Sequence, residues 1–238
     1  MAAPVDAARI GTNITTAAAT WDVNVGSPTA DVLLIVAARF AADPGAITFT
    51  GYTQLALDAS DATDDTTAIY YRWADGTEGT QDTVDPTNSV KGCTLCWGIT
   101  GAADPATQPP EVSAVAVGTT TANTANPDIV TPTGGSNDYL FLALMGLAGE
   151  GNAPTAAPTN YGNLTTANSG TTGAVATNCS IGGASRQLTA ASDNPGVFTH
   201  LAATGGWTAW AVVIHPAAAV VGPPDMRPKK AHRFLTLR

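Results

Sequence analysis

Residues 31–40 read DVLLIVAARF and residues 138–147 read DYLFLALMGL. Each run opens on an aspartate and continues almost without interruption in apolar residues, the pattern of a strand covered on both faces or central in a sandwich. The segments after the two runs are also alike. The first run leads to a Gly51-Tyr52 turn, a polar Asp/Thr stretch and a closing strand through Trp97. The second leads to Asn160-Tyr161-Gly162, a polar Asn/Thr/Gly stretch and a closing strand through Trp207 and Trp210. Asp31 and Asp138 lie 107 positions apart, so the chain states one strand cycle twice.

The flanking segments read as half-buried strands. Thr67 to Trp73 alternates, placing Ile69, Tyr71 and Trp73 on one face with Tyr70 and Arg72 on the other. In the next strand Cys93, Leu95, Trp97 and Ile99 share a face. In the last, Trp207, Ala209, Ala211 and Val213 oppose Trp210, Val212 and Ile214. Turn residues separate these segments, among them Asp43-Pro44-Gly45, Asp75-Gly76 and Asp193-Asn194-Pro195-Gly196. Helical periodicity is absent. The expected fold is all-β, an antiparallel β-sandwich of jelly-roll type built from the two cycles. Each cycle alone would expose an apolar face, so residues 1–216 are read as one sandwich domain, with cycles at about 20–112 and 126–216. From residue 217 to 238 the chain becomes a Pro-rich basic arm.

Composition narrows the partners. Only 12% of residues are charged and the net charge is −9. Arg227, Lys229, Lys230, Arg233 and Arg238, half of all Lys and Arg, fall in the last twelve positions. The body up to Pro224 therefore carries five basic against eighteen acidic residues, a net of −13. Such a surface disfavours direct nucleic-acid binding, which needs Lys and Arg on the contacting face. No apolar run reaches the roughly 18 to 20 residues that span a bilayer, and the first residues lack a secretory pattern. No membrane association is expected.

Several residues invite chemistry. Cys93 and Cys96 form a C-x-x-C, but positions three apart on a strand project to opposite faces, so buried, reduced cysteines are expected. Asp58, Asp61, Asp64 and Asp65 cluster in a loop that offers oxygen ligands, in a spacing unlike an EF-hand; they are weak metal candidates. The histidines, His200, His215 and His232, supply no visible dyad, and His200 and His215 read as strand-edge residues. The glutamates, Glu78, Glu111 and Glu150, lie in loop-like sequence without an acidic partner on a strand face. No catalytic residue and no cofactor is therefore expected. Trp73 and Tyr71 are candidates for glycan stacking, although Trp at strand spacing more often fills a core. In the arm, Phe234-Leu235-Thr236-Leu237 is apolar on alternate positions, which suits strand addition to another subunit, while Arg227, Lys229, Lys230, Arg233 and Arg238 would engage an acidic neighbour.

Asp31-Val-Leu-Leu-Ile-Val-Ala, the Gly51-Tyr52 turn, Tyr70-Tyr71-Arg72-Trp73-Ala74-Asp75-Gly76 and Trp210-Ala-Val-Val-Ile-His-Pro together resemble structural proteins of tailed bacteriophages, over about residues 20–216. The resemblance implies a concanavalin-like or jelly-roll sandwich displayed on a virion as a head decoration, fibre or tail component. It carries over no catalytic residue. The expectation is a noncatalytic virion protein, made in the host cytoplasm, that binds other virion proteins of a capsid or tail lattice and forms homo-oligomers. The competing expectation is a carbohydrate-binding module or tail-associated receptor-binding protein that recognises a cell-surface glycan.

Overall fold

The computed structural model describes residues 2–58, 66–118, 122–149, 153–170, 178–201 and 206–218. Among these the regular structure is strand throughout, in antiparallel ladders. The first sheet has the order β1 (Val5–Ala18), β8 (Val90–Thr100), β3 (Leu33–Phe40), β6 (Thr66–Trp73), β5 (Thr53–Asp58). The second has the order β10 (Ala116–Gly118), β14 (Trp207–Ile214), β11 (Asn137–Ala148), β13 (Cys179–Ala190), β12 (Gly162–Asn168), with β9 (Glu111–Val112) also on β14. A small third sheet joins β2 (Trp21–Asn24), β7 (Gln81–Pro86) and β4 (Ile47–Phe49).

The duplication is a duplication of sheets. The two apolar runs form the central strands β3 and β11, buried along nearly their whole length because sheet neighbours and layers enclose them on every side. Each has its closing strand on one flank (β8, β14) and one further strand on the other (β6, β13). Register makes the match residue by residue. Leu33 pairs with Ile99 and Trp73, and Leu140, 107 positions on, pairs with Ile214 and Gln187. The closing tryptophans do not share a rung: Trp97 faces Ile35, whereas Trp210 faces Leu144, the counterpart of Ala37.

The chain completes one sheet before starting the other, and the sheets then stack. Their shared core contains Leu33, Ile35, Ile69, Leu95, Trp97 and Ile99 from the first with Leu140, Leu142, Leu144, Ile181, Trp210 and Val212 from the second. Burying these faces against one another supplies the main driving force for the architecture. Strand β1 lies along β12, β8 along β12 and β13, and β5 reaches β9. The strand orders thus run in opposite senses across the interface, the arrangement of a two-fold pair. Close approach is made possible by Gly183, where a Cβ would fall 2.4 Å from the Trp97 indole.

The outer faces are covered differently. The third sheet caps the first, packing Trp21, Val23, Phe49 and Val84 against Leu34, Val36, Phe40 and Tyr70. Trp21 stacks on Phe40 with ring centroids 4.4 Å apart. Loops cap the second: Ala125, Val130, Tyr161 and Phe198 cover Tyr139, Phe141, Met145 and Val213. The alternation expected for β6, β8 and β14 is observed. Ile69, Cys93, Leu95, Trp97, Trp210 and Val212 face the shared core, while Tyr70, Cys96, Trp207 and Ala209 face the covers.

Candidate functional site

Among the described residues, three polar clusters stand out as candidate sites. The first is a cleft of about 500 Å³ at one end of the sandwich, lined by Asp104, Thr107, Gln108, Asn137 and His215 among others. His215 follows directly on β14 and is 5% exposed. Its Nε2 lies 2.7 Å from Glu111 Oε1, and the Gln108 amide nitrogen lies 3.3 Å from the same imidazole nitrogen. Glu111 also accepts from the Thr133 backbone amide and hydroxyl. Tyr139 meets the imidazole edge-on, at 5.2 Å between centroids. A histidine and a carboxylate in contact can move a proton, but this pair is held by neighbours on several sides. Its evident work is to tie β9 and the 133 turn to the end of β14. Linear reading could not find it, because the partners are 104 positions apart.

The other two places repeat one motif. In the first sheet the Tyr52 phenol donates to Asp82 Oδ2 at 2.8 Å, and Arg72 NH1 lies 3.6 Å from the same oxygen. In the second sheet the Tyr161 phenol donates to Asp193 Oδ2, and Arg186 NH1 donates to Asp193 Oδ1 at 3.1 Å. Arg72 and Arg186 hold equivalent rungs, opposite Leu34 and Phe141. Both tyrosines follow a residue in the left-handed region, Gly51 (φ 82°) and Asn160 (φ 69°), types that tolerate it. In each case the arginine belongs to the sheet and the aspartate to its cover, so the trio latches cover to sheet. Burial, and then the hydrogen bond to the aspartate, push both phenols well above the ordinary tyrosine range. They remain neutral donors. Setting the two cycles in register would have revealed the motif, since each carries a turn Tyr, a strand Arg and a later Asp.

The residues singled out from sequence are dispersed. Tyr71 and Trp73 are half-buried and pack on the shared core through their inward faces. Asp58 is 5% exposed at the end of β5, and Asp61, Asp64 and Asp65 lie outside the described residues. No cluster of three His, Cys, Asp or Glu suited to a metal occurs among the described residues. Cys93, Cys96 and Cys179 are buried thiols, with Cys93 and Cys96 on opposite faces of β8. His200 is no strand-edge residue. It stands in the loop cover, where Nε2 accepts from the amides of Thr124 and Ala125 while Nδ1 lies 2.6 Å from the Leu201 carbonyl. The arm residues Arg227, Lys229, Lys230, Arg233, Phe234, Leu235, Leu237 and Arg238 lie outside the described residues, as does His232.

No known protein family matches the chain, and neither a curated protein nor a solved structure matches it.

Proposed function

We propose that the chain is a noncatalytic structural component of a phage virion, a capsid decoration or head-associated protein that docks on the particle through its basic C-terminal segment. The observation that carries this reading is the use made of polar side chains within the fold. Both Tyr-Asp-Arg trios fasten covers to sheets, and Glu111 with His215 fastens loop to strand. These contacts build a scaffold stiffened from within, as a lattice component requires. The point from which the basic segment departs is also fixed: Ala102 pairs with Pro216, and the Ala217 amide donates to the Gly101 carbonyl at the end of β8. Opposite charge on body and arm favours docking between neighbouring copies or on an acidic lattice surface.

The test is particle occupancy. The full chain and a version ending at Gly222 are supplied to particles assembled without the protein, and bound copies are counted by quantitative mass spectrometry and cryo-EM. The full chain is expected on the particles at regular positions and the shortened chain is expected in solution, still folded. Equal occupancy would remove the anchoring role of the arm. Absence of the full chain from particles would overturn the virion reading.

A further inference from the structure

Cys93 on β8 and Cys179 at the start of β13 meet inside the shared core, one from each sheet, with their sulfurs 3.7 Å apart. Both are fully buried. Cys179 Sγ also lies 3.3 Å from the Arg39 carbonyl oxygen, a contact that orients its thiol beside β3. The third cysteine is kept away by strand geometry, since Cys96 projects into the cover of the first sheet. Pairwise proximity across two layers, with the third thiol on the far face, selects one partner for Cys93.

We propose that Cys93 and Cys179 are a disulfide-forming pair that bolts the two sheets together under oxidising conditions. A disulfide needs its sulfurs at about 2.05 Å, so the pair must close by roughly 1.6 Å, a distance within reach of side-chain rotation with a small strand adjustment. The reaction is thiol–disulfide exchange with a small-molecule disulfide such as oxidised glutathione. One cysteine, as thiolate, attacks a glutathione sulfur and expels the other glutathione as a thiolate. The second cysteine, having lost its proton to solvent, attacks the protein sulfur of the mixed disulfide and expels the second glutathione. Two protein thiols are oxidised, one glutathione disulfide is reduced to two thiols, and the protein ends two hydrogens lighter. Because both sulfurs are buried, exchange takes place while the sheets are still closing. The bond would span 86 positions and join the two cycles covalently through their common core. This inference stands independently of the virion reading.

The experiment refolds the full chain from denaturant with oxidised and reduced glutathione and, in parallel, with excess reductant. Free thiols are then alkylated under denaturing conditions and mapped by mass spectrometry. The oxidised sample is expected to carry one alkylated cysteine, Cys96, and a cross-linked peptide pair containing Cys93 and Cys179. Its Tm should exceed that of the reduced sample by roughly 5–10 °C. Cys96→Ser should give the same cross-link. Three alkylated thiols, a bond involving Cys96, or retained glutathione would each overturn the proposal, and each is read on the unmutated chain.

Discussion

Arg39 and Gly146 hold the same rung of the two central strands, and they meet across the sandwich. Arg39 pairs with Thr67 and Cys93, and Gly146 with Ile181 and Thr208. A Cβ at Gly146 would lie 2.9 Å from Arg39 Cδ and 2.8 Å from Thr67 Oγ1. Equivalent positions touch only near a two-fold axis, and there two large side chains could not coexist. The pair resolves this by asymmetry, one member long and the other without a side chain. The Arg39 guanidinium uses the space to donate to Thr67 and to reach Thr208 on the opposite sheet.

Gly146→Ala should therefore destabilise the fold by about 1–3 kcal/mol, because the Arg39 stem is confined and must shift. Gly162→Ala is the control, since a Cβ there meets nothing within 4 Å. Urea denaturation of the two variants measures the difference.

The latches predict unequal losses. Tyr161→Phe removes a donor from Asp193, whose side chain is only 5% exposed, and should cost about 1–3 kcal/mol. Tyr52→Phe should cost less, because the Asp82 side chain is 18% exposed and water can replace the lost phenol. The double variant should be additive, since the latches share no partner. Chemical denaturation of the three variants checks this.

Tyr70 gives the opposite sign. Its hydroxyl is buried without a hydrogen-bond partner among the described residues, and the ring packs edge-on against Phe49. Tyr70→Phe should leave stability unchanged or raise it by up to about 1 kcal/mol at neutral pH, as read from urea midpoints.

Alkali should unfold the protein by a related route. Burial pushes the Tyr70 phenol up to about 12 and, with the nearby Asp82 charge, the Cys96 thiol up to about 12 as well. Both are raised above ordinary values of 10.0 and 9.0. Their contribution is fully present below those values. It is lost as pH climbs towards 12, because the unfolded chain ionises first. Thermal melts between pH 8 and pH 11 should show falling Tm, with a shallower fall in the Tyr70→Phe, Cys96→Ala double variant.

The shared core makes the halves interdependent. Expressed separately, residues 1–100 and 101–238 should each lack cooperative melting, since either sheet alone exposes its inner apolar face. Mixed, they should recover a single transition, read by near-ultraviolet circular dichroism and co-elution.

The central strands were legible in the sequence because a strand enclosed on every side must be apolar throughout, and the alternation of β6, β8 and β14 because each separates two buried layers. Strand β1 was not. Its side chains are mostly exposed and small, with polar and apolar residues intermixed, and its place depends on backbone pairing with β8 and on contacts such as the Asn168 amide with Asn13. The three-stranded cap left no pattern to read because its strands are only three to six residues long, too short to display a period. Polar sites were hidden for a different reason. Glu111 and His215 become neighbours only when sheets and loops assemble, whereas the repeated tyrosine latches were written twice and needed only alignment of the cycles.

The unlike covers of the two sheets have an evolutionary consequence. The inner faces constrain each other, so a change on one requires an answering change on the other, as at Arg39 and Gly146. The outer faces carry no such mutual obligation. A compact sheet seals the first, while loops bearing exposed Ile129, Val197 and Leu201 seal the second. Sequence drift, insertions and newly acquired contacts should accumulate on that looped side, making it the face through which descendants of this scaffold diversify.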